Sequence, residues 1–510
     1  MTDLVFHNAN VVTMNPSQPY ASVVATHKGV VKWVGEAEDL RYLTSAETRL
    51  IDCDGATLLP AFHDAHCHLL GLASSFLSVD CSPLKAASLV DIQNGLRLRA
   101  EVTPLGQWIR ARGYHEALLR DRRHPTREDL DKAAPHHPVK LTHQTGHASV
   151  LNSLGLAAVG IHEGTSDPPY GIIERDLRNG IPTGLLLEME DYLDQRLPPI
   201  NPWDLEIGIA KAFQLLLSHG VAAVQDASLN NSLERWQLWS KLRSNGNLLL
   251  RLALMPGLGQ LDEFYEAGMG FGFGDQYLRI GHAKAMLTMT TGALYPSVAA
   301  LKEQALKGVL KDFPIAIHAV ELEAVAGALE VLQHVKNTRP ELRHRIEHAS
   351  ECSTELADAL ARSDITVVTQ PGFLYYNGDR YLKEVPEENR KFLYPLRSLN
   401  KSGVMLAGSS DAPVIPVDPL MGIAAAVTRA TAEKQYVNKE QELTPFHALR
   451  MYTEGSAYAG FLEHVLGSIK IGKYADMVLV DKNPLIVEPD ELKDLRVVMT
   501  ILSSEIVWEA

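Results

Sequence analysis

Histidines 66 and 68 stand two apart in LLPAFHDAHCHLL (58–70), a run that reads as a short buried strand. Side chains alternate between the faces of a strand, so residues two apart project the same way. The two imidazoles would leave one strand end together, where they could share a divalent metal, with zinc the first candidate. An isolated pair of this kind is also what an ordinary polar strand end offers, so the reading rests on what accompanies it. Further along, several expected strands end in a metal-capable side chain: Lys284 in LRIGHAKAML, His318 in PIAIHAV, His348 in HRIEHAS and Asp411 in VMLAGSSDAP. Each alone has a plainer role open to it, as a solvated lysine, a packed histidine or a helix cap ahead of Ala412-Pro413. Four imidazoles and one carboxylate at equivalent strand ends make a metal centre the stronger reading. A divalent metal brings the pKa of water down towards about 7, so the chemistry to expect is hydrolysis.

Such a centre needs a scaffold that aligns strand ends. The sequence alternates helix and strand from about residue 205, with helical DLEIGIAKAFQLLLSHG before strand VAAVQDAS and the pattern recurring to VMLAGSSDAP. With the His66 strand this gives eight strands, seven of them preceded by a helix or by a long stretch at about 75–205 that does not repeat cleanly. Repeated βα units imply a parallel sheet, and eight of them favour an α/β fold of the closed (β/α)8 TIM-barrel type, whose sites lie at the carboxyl ends of the strands. No G-x-G-x-x-G follows a strand, which argues against a dinucleotide fold. Both ends are rich in β-branched runs separated by Asn, Gly, Pro and Asp. The organisation expected is a small composite β-sandwich from residues 1–57 and 466–510, around a barrel at 58–465 that carries the 75–205 insert.

The 510 residues carry 48 basic and 62 acidic side chains, a formal charge of −14, without the basic runs that nucleic acid or anionic membranes require. The longest stretch free of Asp, Glu, Lys and Arg, 141–162, holds three histidines and is too polar to span a bilayer. The four cysteines show no CxxC spacing, and MTDLVFHNANVV has no charged region followed by an apolar one. A cytoplasmic location is the expectation.

LLPAFHDAHCH, IAIHAV, RIEHAS and LAGSSDAPV resemble the signature strands of the amidohydrolase superfamily. The resemblance is strongest to amidohydrolase family 3, the branch of formamide-deformylase-like metal-dependent hydrolases. It continues through TGHASVLNSLGLAAVGI, YPLRSLNKSGVMLAGSSDAPVIPVDPLMGIAAAVTR, LTPFHALRMYTEGSAYAG and LGSIKIGKYADMVLVDKNPL, almost end to end. It implies a metal-bearing barrel with a β-sandwich from both termini. By this resemblance His66, His68 and Asp411 hold one metal and His318 with His348 a second, while Lys284, carboxylated, bridges the two. Two metals, zinc first among candidates, are favoured over one. The reaction implied is hydrolysis of an amide-type C–N bond of a small molecule by metal-activated hydroxide, with Asp411 both ligand and general base. A homodimer is compatible with the superfamily.

Around this centre His147, in QTGHASVLN, is a candidate substrate contact from the insert, and it could equally anchor that insert. Tyr375, with Tyr376, could line the pocket or pack a loop; His63 and Glu188 are noted. The chain departs from the family 3 pattern in LTMTTGALYPS after Lys284 and in HAVELEAV after His318. His318-Ala-Val-Glu321 instead matches the His-x-x-Glu of mononuclear aminohydrolases, where the glutamate shuttles protons during deamination. Glu321 could do so here, or simply begin the next helix, where a carboxylate suits the dipole. A non-catalytic regulator that kept the scaffold as a binding module is the remaining alternative.

Overall fold

Short apolar runs rich in Val, Ile, Leu and Ala form strands buried along most of their length, the pattern of parallel strands covered on both faces. In the computed structural model, which describes residues 2–83, 85–168, 171–289 and 292–510, four such strands lie side by side. They are Leu278–Ile280, Arg251–Leu254, Val221–Asp226 and Phe62–Cys67, in that spatial order. A second parallel sheet runs Ala283–Met286, Ile315–Ala319, Arg345–His348, Thr366–Thr369, Leu406–Gly408. The fourth expected strand is thus two pieces, broken at Gly281-His282. Amides on both sides of the break still reach the Arg251 segment: Gly281 donates to the Leu254 carbonyl and Lys284 to that of Pro256. At the other end, the His68 amide donates to the Ala412 carbonyl and the Asp411 amide to that of His66.

The helices between these strands start where side-chain oxygens can cap them. Ser232, Ser297 and Ser353 each accept from the amide three residues on, opening Leu233–Ser244, Val298–Val309 and Thr354–Arg362. Helix Leu322–Lys336 buries Val325, Ala328, Leu329, Leu332 and Val335, a helical spacing facing the sheet side. The architecture is α/β.

Residues 58–70 do not form the single strand expected. Thr57–Pro60 belongs to a six-stranded sheet, pairing with Asn10–Val12 and Met477–Val480, whereas Phe62–Cys67 pairs with Val221–Asp226. The handover occurs across two consecutive amides: Ala61 donates to the Asp476 carbonyl and Phe62 to that of Gly220. Pro60 has no N–H to continue a ladder, which suits the end of a strand. The six-stranded sheet therefore draws on both ends of the chain, and a four-stranded sheet holds Leu4–His7, Val23–His27, Val30–Gly35 and Arg49–Asp52. Phe6, Val24 and Val31 of the one share an apolar core with Leu58, Met477 and Ile501 of the other.

By packing, the chain divides into two compact units, one of residues Met1–Leu69 with Phe213–Ala510 and one of Leu70–Ala212. The second holds its own six-stranded mixed sheet, from Val79–Asp80 through Ile109–Tyr114, Val139–His143, Ala148–Leu151 and Pro182–Leu187 to Ile172–Arg175. The turn-rich reading of its last part gives way to an antiparallel hairpin, Ile172–Arg175 with Pro182–Leu187. Thr290 and Thr291, in the LTMTTGALYPS departure, lie outside the described residues. Among the described residues no helix is long and apolar enough to cross a membrane.

Candidate metal centre

The carboxyl ends of the parallel strands bring His66, His68 and Asp411 together. Asp411 Oδ1 lies 3.0 Å from His68 Nε2 and 3.4 Å from His66 Nε2. From His66 the imidazoles continue as a contiguous row, with ring centroids 4.8 Å apart to His348 and 4.4 Å from there to His318. Lys284 is on the strand next to that of His318, where Met286 is the register partner of His318. His66, His348, Lys284 and Asp411 are buried, whereas the His68 side chain is 32% exposed and marks the open side. Two of these residues sit in the left-handed backbone region, His348 at φ 74° and Asp411 at φ 59°. Non-glycine residues rarely adopt it, and a fold that holds two of them there does so at some cost in stability.

Each inner imidazole is oriented through Nδ1. His66 Nδ1 meets Glu347 Oε2 at 2.5 Å, His348 Nδ1 meets Gln370 Oε1 at 2.8 Å and His68 Nδ1 meets Ser228 Oγ at 3.1 Å. These partners are themselves held: Arg345 donates to Glu347, Gln370 donates to Ser409 and Ser228 donates to Asp226. An oxygen at Nδ1 accepts its proton and leaves the Nε2 lone pair for a metal. Glu347, Gln370 and Ser228 were missed from sequence. The alternation in RIEH, with Arg345 and Glu347 on one strand face, was the available signal for the first.

The electrostatics agree with a cation-binding role. Burial lowers His66 and His348 below the usual imidazole range, so both are neutral and able to ligate. Burial also opposes ionisation of Asp411, but His68 at its carboxylate and the charges of His348 and His66 hold it below the usual range. Burial pushes the Lys284 ammonium down to about 8, against the pull of Glu347. Among the described residues Asp411 Oδ1, His348 Nε2 and Lys284 Nζ are buried without a hydrogen-bond partner. Buried polar atoms are rarely left so, and these are the atoms a metal would engage.

The remaining expected residues lie as follows. His147 is in the second unit, its Nδ1 3.0 Å from Glu188 Oε1. Tyr375 and Tyr376 are on helix Gly372–Glu384, edge to face at 5.2 Å, and pack against a cluster that includes Phe373, Leu393 and Tyr394. Glu321 is the N-cap of helix Leu322–Lys336 but makes no side-chain capping bond. His63 is buried beside Gln225, and burial pushes it down to about 3.

An α/β scaffold that gathers imidazoles and a carboxylate at parallel strand ends defines a metal-dependent hydrolase. The chain belongs to the amidohydrolase family, whose sequence model matches residues 49–508, and acts on carbon–nitrogen bonds other than peptide bonds. The protein named amidohydrolase YtcJ in Bacillus subtilis (strain 168) is 28% identical over 538 residues, 99% of this chain and 99% of its own. N-substituted formamide deformylase of Arthrobacter pascens is 28% identical over 547 residues, covering 100% of this chain and 99% of that protein. The crystal structure of an uncharacterized metal-dependent hydrolase from Pyrococcus horikoshii OT3 shares the fold, with a TM-score of 0.78 at 24% identity over 96% of this chain and 99% of that one.

Proposed function

We propose that this enzyme hydrolyses the amide-type C–N bond of a small N-acyl or N-formyl amine at a centre of two divalent metals, zinc in the first instance. The observation that carries this reading is the set of Nδ1 anchors, with the Nε2 atoms of His66 and His68 beside Asp411 Oδ1 and that of His348 buried without a hydrogen-bond partner. His66, His68 and Asp411 would hold one metal, His318 and His348 the other, with Lys284 bridging as a carbamate. A lysine brought down to about 8 has a neutral fraction at pH 7, which is the form that takes up carbon dioxide. The deformylase among the relatives supports the substrate class.

Bound metal would supply Lewis acidity and a water acidic enough to ionise near neutral pH. The chain's own part is proton handling and orientation. Asp411, ionised and buried, takes the proton of the attacking water on the carboxylate oxygen that a metal at Oδ1 would leave free, and returns it to the leaving nitrogen. Glu347, Gln370 and Ser228 keep the imidazoles in one tautomer while this happens. For the scaffold we infer a closed eight-stranded barrel, supported by the backbone bonds that join the His66 strand to the Asp411 segment. The core shared by the two terminal sheets supports a composite β-sandwich.

Elemental analysis of protein purified without chelators should give two equivalents of metal per chain that a His66→Ala/His348→Ala chain lacks. Asp411→Asn should cut turnover of N-formyl and N-acyl amines by about 10²–10⁴-fold while leaving the fold intact. A difference of one equivalent, or turnover within a few-fold of the parent, would overturn the reading. A second reading, deamination at a single metal, has one observation in its favour: Glu321 Oε2 is buried without a hydrogen-bond partner among the described residues, three residues after His318. Ammonia released from a heterocycle, and lost in Glu321→Gln, would decide for it.

A further inference from the structure

The second unit carries a separate group of imidazoles around one carboxylate. Strands Ile109–Tyr114 and Val139–His143 run parallel, and the register pairs Tyr114 with His143. Their carboxyl ends therefore lie side by side, with a bulge at Gly113 (φ 94°) shifting the register just before Tyr114. His115 and Glu116 leave the first strand end there, and His143 closes the second. Glu116 Oε2 is 2.9 Å from His143 Nε2, 3.6 Å from His115 Nδ1 and 3.9 Å from His124 Nε2. Ligands at 2.0–2.1 Å from a tetrahedral zinc stand about 3.3 Å from one another, so these separations bracket what a shared ion needs.

We propose that His115, Glu116, His124 and His143 form a second metal site, for zinc or a similar borderline divalent ion, whose role is to staple the strand ends of this unit. The first support is the state of the facing atoms. His143 is 7% exposed, yet its Nε2 and Glu116 Oε2 lie 2.9 Å apart without the alignment of a hydrogen bond, and neither has another partner among the described residues. The candidate centre in the first unit has the same signature, with Asp411 Oδ1 unpartnered 3.0 Å from His68 Nε2. The second support is the far side of the rings. His143 Nδ1 meets Thr145 Oγ1 at 2.9 Å and His124 Nδ1 meets the Tyr114 hydroxyl at 3.0 Å. The Tyr114 oxygen can accept the His124 Nδ1 proton and free its Nε2, whereas His143 Nδ1 also receives the Thr145 amide at 3.2 Å.

The donor set sets the ion. Three imidazoles with one carboxylate and no thiolate suit Zn, Ni or Co, and are a poor match for Mg or Ca, which prefer oxygen alone. Glu116 and His124 are 30% and 32% exposed, which gives an ion a path in from solvent.

The test uses the full chain in a His66→Ala/His348→Ala background, which takes one ligand from each metal of the proposed catalytic centre, stripped with chelator and titrated with zinc against a chromophoric chelator. One tightly held equivalent is expected to remain, and Glu116→Gln or His143→Ala should weaken it at least 100-fold. Glu116→Gln keeps size and hydrogen-bonding capacity, so circular dichroism matching the parent separates lost metal from lost fold. Replacing zinc by cobalt should give the visible absorption of a four-coordinate ion, absent in Glu116→Gln. An equivalent that survives both substitutions unchanged, or no zinc at all in the His66→Ala/His348→Ala chain, would overturn the proposal.

Discussion

Glu347→Gln isolates what orientation of one imidazole contributes. Glu347 is fully buried and divides its carboxylate between His66 Nδ1 at 2.5 Å and Arg345 Nε at 2.6 Å. A glutamine has one oxygen and one NH2. Its oxygen will face the Arg345 cation, so the NH2 meets His66 Nδ1 and favours the tautomer protonated at Nε2, the atom a metal needs. Loss of such a partner costs about 10–100-fold in metal affinity, roughly 1.4–2.7 kcal/mol. Stability falls as well, because breaking a buried ion pair costs about 3–5 kcal/mol. Arg345 keeps bonds to Gln225 and to the carbonyls of Ala459 and Ala65, which puts the loss at the lower end, about 3 kcal/mol. Metal affinity by chelator competition and stability by denaturant unfolding of the stripped protein separate the two effects. Asp476→Asn is the control: it breaks the buried Arg251–Asp476 pair, at 2.5 Å, and should cost stability without changing metal affinity. Metal affinity unchanged in Glu347→Gln, with the fold intact, would refute the tautomer argument.

Two further outcomes are expected. In stripped protein Lys284 has a pKa of about 8 when folded and 10.5 when unfolded, so between those values the unfolded chain binds more protons and stability must rise with pH. The gain is about 3 kcal/mol from pH 8 to 10.5, and unfolding curves of Lys284→Met should lack that rise. In the last parallel strand, a Cβ at Gly408 would come within 2.7–2.8 Å of the Tyr452 ring, so Gly408→Ala should lower stability by about 1–3 kcal/mol, measured as a reduced denaturant midpoint at unchanged slope.

The sequence made some of this legible for identifiable reasons. Apolar runs with helices between them state the parallel strands directly, and a candidate ligand at a strand's carboxyl end is visible as a polar residue closing such a run, as His318 and His348 do. What orients those ligands is not visible, because each Nδ1 partner of the inner imidazoles comes from another strand or loop: Glu347 for His66, Gln370 for His348, Ser228 for His68. No local spacing relates partners 22, 160 and 281 positions apart. The division at Pro60-Ala61 was hidden because both halves are apolar and buried, so composition gives no boundary; only the missing N–H of Pro60 hints at one. The grouping of His115 and Glu116 with His143 depends on two parallel strands meeting in register, which the irregular texture of residues 75–205 did not disclose.

The pair of amides at Ala61 and Phe62 also bears on how the chain is made. One bonds to Gly220 and the other to Asp476, so the segment just ahead of His66 is anchored in part by a residue about 400 positions further on. At 5–20 residues per second a ribosome needs about 20–80 s to travel from the one to the other. Over that interval Thr57–Pro60, buried in the finished protein, waits for its partner Met477–Val480 as an apolar edge open to other chains. Nascent chains should therefore gain from holdase chaperones or slow growth. Ribosome-stalled chains ending before Met477 should be markedly more sensitive to protease near Pro60 than released full-length protein.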